Sequence, residues 1–131
     1  MANRIVGFFK DPGQAGQTIL ALVNAGYARA DIDLFYDENF YVPNTEMHLE
    51  QGSLSAHYGG ARVDHLPKLL EIPGTLDAYE GKPVPKEQVN AYVAGVHRGG
   101  AVISIGVPEF KVEQTLDLLR SHGLSEVEPS H

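Results

Sequence analysis

The sequence contains no cysteine, so disulfides, zinc–thiolate sites, iron–sulfur clusters and cysteine nucleophiles are all excluded. It also lacks long apolar runs: no stretch approaches the roughly 18 residues that a membrane-spanning helix needs. The segment from Met1 to Gly13 has too short an apolar run for a secretory signal peptide. We therefore expect a cytoplasmic protein without membrane contact.

Clusters of basic residues are also missing. The chain has 10 Lys and Arg against 17 Asp and Glu, which gives a net charge of −7. A protein of this charge is repelled by phosphate backbones, so the composition disfavours nucleic-acid binding.

The length and composition are those of one globular domain. A chain of 131 residues with 43% hydrophobic residues can bury a single core without metals or disulfides. We predict one domain over residues 1–131, organised as a β-α-β unit (3–37), an irregular insertion (38–82) and a helix followed by a second β-α-β unit (83–128).

The first unit has clear start and stop signals. A short apolar strand precedes Asp11-Pro12, an N-cap with proline at the first helical position. Gly26 is typical of a residue that ends a helix. The next strand alternates acidic residues with three apolar ones: Ile32, Leu34 and Tyr36.

The C-terminal part resembles the first unit. A gapless shift of 97 residues places Ile19 on Leu116 and Gly26 on Gly123, and we interpret this as a duplicated β-α-β unit. Its last strand should be short, around residues 124–127. Before the second unit, Pro85 opens a helix with apolar residues at helical spacing: Val89, Tyr92, Val93 and Val96.

Residues 38–82 show no regular pattern apart from a short helix from about Pro67 to Ile72. So long an irregular segment is unusual inside a compact domain. It is either a functional lid or partner arm, or partly mobile.

Two β-α-β units in one sheet predict an α+β fold, a ferredoxin-like plaited sheet with helices on one face. The repeat places five apolar side chains toward the helices: Val6, Phe8, Ile103, Ile105 and Val107. The opposite face would then present Ile5, Gly7, Phe9, Phe35, Val102, Ser104 and Gly106. Such an apolar face needs a cover, which could be the middle segment, a second subunit or a ligand.

No motif of catalysis stands out, and we predict no catalytic residue, no metal ligand and no cofactor. His48, His57 and His65 lie in the middle segment, where a metal or haem site is conceivable. Their spacing matches no compact ligand pair such as HExxH, so solvated loop histidines are the simpler interpretation. Ser104 lies within a strand and outside any GxSxG pattern.

Three stretches are similar to bacterial heat-induced or general stress proteins of the YflT-like class. They read RIVGFFKDPGQAGQTILALVNAGYARADIDLF, VPKEQVNAYVAGVHRGGAVISIGVP and TLDLLRSHGLSEVE. The most specific part runs from Tyr92 to Gly99-Gly100. The resemblance covers the two ends of the chain but not the middle. It implies a cytoplasmic bacterial stress-response protein without an established biochemical activity, and it carries over no site residue.

Two functions remain open from the sequence. The first is a non-enzymatic stress-associated protein of unknown activity that forms a homo-oligomer, preferably a dimer, through the open sheet face. The alternative is a small-molecule, haem or metal binding protein, or an enzyme, with a pocket between that face and the middle segment. Aromatic residues would form its walls (Phe9, Phe35, Tyr41 and Tyr58), and the three middle histidines would supply polar groups.

Overall fold

The computed structural model describes residues 2–36 and 66–127. The described chain contains five strands and four α-helices. In chain order they are β1 (Ala2–Phe9), α1 (Pro12–Asn24), β2 (Ile32–Tyr36), α2 (Leu66–Leu70), β3 (Thr75–Asp77), β4 (Lys82–Pro83), α3 (Val89–His97), β5 (Ala101–Pro108) and α4 (Val112–Arg120).

The strands form one mixed sheet in the order β2-β5-β1-β3-β4. Strand β5 pairs antiparallel with both β1 and β2, so β1 and β2 run in the same direction with β5 between them. Strand β3 pairs parallel with β1, and β4 returns antiparallel to β3. The α+β class expected from the sequence is confirmed.

Helices cover both faces of this sheet. On one face, α1 and α4 bury Ile19, Leu22 and Leu119 against the odd-numbered residues of β5. On the other face, α2 and α3 bury Leu70 and Tyr92, among others, in a second apolar cluster. The predicted arrangement with helices on one face only is therefore wrong. The cover comes from α3 and from α2, which is part of the middle segment.

The side-chain directions of β1 also differ from the prediction. Ile5 pairs with Ile105 and Gly7 with Ile103, so Ile5 and Phe9 face α1 and α4. Val6 and Phe8 belong to the cluster under α2 and α3. Even-numbered residues of β1 and β5 lie on the same face of the sheet. The repeat used a shift of 97, an odd number, and therefore matched residues of β1 with residues of β5 on the opposite face.

The helical part of the repeat does hold. Thr18 and Thr115 occupy matching positions, both are fully buried, and each hydroxyl donates to the carbonyl four residues earlier, at 2.8 Å. Gly26 and Gly123 follow their helices with φ of 101° and 91°, a conformation that favours glycine.

The predicted helix near Pro67 is present as α2, but the segment around it is not irregular throughout. Strands β3 and β4 lie within 75–83, where no strand was predicted, because three-residue and two-residue strands are too short to show alternation. The part of the predicted insertion between residues 37 and 65 lies outside the described residues.

The C-terminal segment meets the same edge of β1 as β3 does. Strand β3 pairs with Arg4, Ile5 and Val6, whereas Ser125 forms a single antiparallel bridge with Phe8. Where a short strand was expected around residues 124–127, the described chain therefore has one bridge, with Val127 buried beyond it.

Candidate functional site

One polar cluster interrupts the sheet face that α2 and α3 cover. Arg4 on β1, Asp33 on β2 and Ser104 on β5 all point to this face, toward the end where β1 begins. The Arg4 Nη1 atom donates to Ser104 Oγ at 2.7 Å and lies 3.6 Å from Asp33 Oδ2. Gly106, directly opposite Arg4, has no side chain, and this leaves room for the guanidinium to reach across the sheet.

The electrostatics of this cluster are close to balanced. Burial raises the pKa of the Asp33 carboxyl, and the neighbouring Arg4 charge opposes that rise. Ser104 is completely buried, while the side chains of Arg4 and Asp33 keep 31% and 46% of their surface exposed. The cluster can bind a polar group: the Ser104 hydroxyl accepts a hydrogen bond from the Arg4 guanidinium, and Asp33, the cross-strand partner of Ser104, adds a carboxylate.

A wide cavity of about 890 Å³ opens beside Arg4. Its wall is formed by the turns that precede β2 and follow β5, which contribute Asp31, Glu109 and Phe110. The Phe110 side chain is 83% exposed, far more than any other large apolar side chain in the described chain. This cavity therefore combines charges of both signs with an uncovered aromatic ring.

A second cavity, of about 340 Å³, lies at the opposite end of β1. Two cationic side chains, Lys10 and Arg98, line it together with the carboxylate of Glu126. The remaining lining is formed by Phe8 and by two glycines, Gly95 and Gly100.

A third cavity, also of about 340 Å³, lies between α2 and the β3–β4 hairpin. Its lining mixes apolar residues, among them Leu70 and Ile72, with three polar side chains: Glu71, Thr75 and Lys86. Ile72 is 49% exposed.

The most deeply buried ionisable pair is Asp77 with Tyr92. Asp77 is only 6% exposed and Tyr92 1%, and the tyrosine hydroxyl donates to the carboxylate. The backbone N–H of Tyr79 also donates to Asp77 Oδ1, at 3.0 Å. Burial raises the pKa of the Tyr92 hydroxyl, and the charges of Asp77 and Glu80 add to the rise. This pair fastens β3 to α3 and serves the fold.

The aromatic residues predicted as walls of one pocket do not come together. Phe9 lies in the cluster with α1 and α4, and Phe35 in the cluster with α2 and α3, so the sheet separates them. The remaining candidates fall outside the described residues: Tyr41, Tyr58, His48, His57 and His65.

Residues 2–36 and 66–127 were searched for clusters of metal ligands and for helices that could span a membrane. There, no three side chains of His, Asp or Glu gather closely enough to hold a metal ion. No helix of the described chain has the length and apolar character to cross a membrane.

Sequence reasoning missed Arg4, Lys10 and Arg98 as potential site residues. Lys10 and Arg98 are 88 positions apart, and no local motif signals that they line one cavity. Asp33 carried a usable signal, because it alternates with the core residues of β2 and must therefore share a face with Phe35.

Comparisons of the chain with protein-family models, with curated proteins and with solved structures found no match. The similarity to general stress proteins therefore stays a prediction from the three stretches quoted above.

Proposed function

We propose that the chain is a non-enzymatic stress-response protein that acts by self-association. The stress association is supported by the resemblance of both ends of the chain to general stress proteins. The self-association is supported by the exposed Phe110 and its surroundings. We call this region the Phe110 surface and define it by Arg4, Asp31, Glu109 and Phe110.

The single observation that carries the proposal is the exposure of Phe110. The other large apolar side chains of the described residues are buried or partly buried, except Ile72 and Tyr79, which are only about half uncovered, at 49% and 44%. Burying a phenylalanine side chain is worth about 1.5 to 3 kcal/mol. An aromatic side chain of this kind is typical of the residues that dominate binding energy at protein interfaces.

A second copy of the chain is the occupant that fits this surface. Arg4 is positive, whereas Asp31 and Glu109 are negative, so the surface carries both signs around one aromatic ring. In a twofold dimer the same surface meets itself, and the acidic groups of one copy can face the basic group of the other. A surface of a single charge would repel its own copy.

The route of association differs from the one expected from the sequence. The open sheet face was the predicted interface, but its apolar residues are buried within one chain: Ile5 and Phe9 under α1 and α4, and Phe35 and Val102 under α2 and α3. The dimer therefore has to form through surface outside the core, and the Phe110 surface is the best candidate.

We further propose that the fold is ferredoxin-like, with β1-α1-β2 as one unit and β5-α4 with the bridging Ser125 segment as the other. The β3–β4 hairpin would then replace most of the fourth strand. We also propose a cytoplasmic location and no nucleic-acid partner, and the net charge of −7 supports the second of these. The alternative of a haem or metal protein depends on histidines outside the described residues.

The proposal is tested by sedimentation velocity over a range of protein concentrations. We expect a monomer–dimer equilibrium, and Phe110→Ser should raise its Kd at least tenfold, the effect of losing about 1.4 kcal/mol. Ile72→Ser is the matched control, because it removes another exposed apolar side chain that lines a different cavity, and it should leave the Kd unchanged. A purely monomeric protein, or equal weakening by both variants, would refute self-association through this surface.

A further inference from the structure

We infer that the cavity lined by Lys10, Arg98 and Glu126 is a binding site for a small ligand that carries a compact oxyanion, a phosphate or a carboxylate. We call this cavity the basic cleft. The inference is independent of the proposed dimer, because the Phe110 surface lies at the other end of β1.

Three parts of the chain meet to form the basic cleft. Strand β1 ends at Phe9 and leads into Lys10, the turn from α3 into β5 contributes Arg98 and Gly100, and the C-terminal segment contributes Glu126. The C-terminal segment is anchored by two hydrogen bonds. The Ser125 N–H donates to the Phe8 carbonyl at 2.8 Å, and the Lys10 N–H donates to Ser125 Oγ at 3.3 Å.

The Phe8 ring packs directly against two glycines at the floor of the cleft. A Cβ atom on Gly95 would lie 2.7 Å from the Phe8 ring, and one on Gly100 would lie 2.6 Å from it. Both distances are far below ordinary carbon contacts of about 3.5 to 4.0 Å. The two glycines are therefore required by packing, and the Phe8 ring that lies against them forms the floor of the cleft.

The cleft is lined by cationic groups although the whole chain is acidic. Two cationic side chains and one carboxylate line it, within a protein of net charge −7. The guanidinium of Arg98 presents a planar fork of N–H donors that matches the oxygens of phosphate or carboxylate, and Lys10 adds a second positive charge.

The size of the cleft limits the ligand. Its volume of about 340 Å³ is at the lower end of small-molecule sites, which run from about 300 to 1,000 Å³. A small metabolite or a free anion fits this space, whereas a polymer does not. The negative charge of the Glu126 carboxylate repels a bound oxyanion, so removing this charge should strengthen binding, whereas removing the charge of Arg98 should weaken it.

The test is an NMR titration of the isotopically labelled protein with inorganic phosphate, and separately with acetate, at constant ionic strength. We expect saturable shifts of the amide signals of Gly95, Arg98 and Gly100. Arg98→Gln should raise the Kd about tenfold, the effect of losing a charge-assisted hydrogen bond. Glu126→Gln should lower it about threefold, because a nearby like charge is removed.

Matched controls separate a site from general charge effects. Lys86→Gln and Glu87→Gln make the same charge changes in the turn at the opposite end of α3, and both should leave the Kd unchanged. Tighter binding of phosphate than of acetate identifies a phosphate site, and the reverse identifies a carboxylate site. Shifts that do not saturate, or controls that match the cleft variants, would overturn the inference.

Discussion

Replacing Gly95 by alanine tests whether packing or helix propensity decides stability in α3. The new methyl group would lie 2.7 and 2.8 Å from two carbons of the Phe8 ring. Carbon atoms prefer about 3.5 to 4.0 Å, so the ring must move by about 1 Å. Phe8 is only 6% exposed, and its ring stands edge-on to Tyr92 at 6.5 Å between centroids, so moving the ring also disturbs that contact.

Two opposing terms set the magnitude. Adding a methyl group to a filled core costs about 1 to 3 kcal/mol, whereas alanine in place of glycine inside a helix gains about 1 kcal/mol. We therefore expect Gly95→Ala to lower the free energy of unfolding by about 1 kcal/mol. Urea unfolding followed by circular dichroism measures this as a lower midpoint with an unchanged slope.

Two further variants sharpen the result. Gly106→Ala is the control, because its methyl group would meet nothing closer than an Arg4 nitrogen at 3.7 Å, and it should not destabilise the protein. Phe8→Leu combined with Gly95→Ala should be more stable than the sum of the single changes by about 1 kcal/mol. If Gly95→Ala instead stabilises the protein by about 1 kcal/mol, helix propensity alone governs this position and the packing argument fails.

Two further predictions concern the ionisable groups of the fold. Tyr92→Phe should destabilise the protein by about 1 to 3 kcal/mol, because it removes the hydrogen bond to the buried Asp77, while Tyr79→Phe on the surface should cost under about 0.5 kcal/mol. The pKa of Tyr92 is raised from about 10, so the unfolded chain loses this proton first, and stability should fall above pH 10 in the native protein but less steeply in Tyr92→Phe. For Asp33, burial outweighs the attraction of Arg4 and raises the pKa of the carboxyl in the folded protein. The protonated carboxyl therefore favours the folded state at low pH, and this contribution to stability is lost as the pH rises through the folded pKa. Asp33→Asn should therefore change the unfolding free energy at pH 7 by less than about 0.5 kcal/mol, and a loss of several kcal/mol on thermal or urea unfolding would show that the Arg4 pair dominates.

The sequence predicted the parts of the fold that have local signals. The N-cap at Asp11 accepts a hydrogen bond from the Gly13 N–H at 2.9 Å, and α1 begins at Pro12 as expected. The helix opened by Pro85 is present as α3 after one short turn. These elements depend on capping residues and apolar spacing, which are properties of neighbouring residues.

The failures concern relationships between distant segments. The repeat gave the wrong face for Val6 and Phe8, because its shift of 97 fits the helices but is odd, whereas the even-numbered residues of β1 and β5 lie on the same face. A one-residue difference exchanges the two faces of a strand. Both faces of β1 are apolar, so the sequence does not reveal which face contacts which helices. The sequence did not show what covers the second face of the sheet, because α2 and α3 carry no signal of which surface they contact.

The candidate site was the least predictable part. The lack of a side chain at Gly100 is required by Phe8, which is more than 90 positions away in the chain. Exposure of Phe110 is equally invisible in the sequence, since an aromatic residue after a strand is usually buried. Both features follow from packing in three dimensions.

The central position of β1 also constrains how the protein is made. Both neighbours of this strand are encoded far downstream, at Thr75–Asp77 and Ala101–Pro108. At about 5 to 20 residues per second, the ribosome needs roughly 5 to 20 s after completing β1 to deliver β5. Until β3 is delivered the apolar run from Ile5 to Phe9 has no strand partner, and until β5 follows one edge stays unpaired, so the nascent chain presents it to chaperones or to other nascent chains.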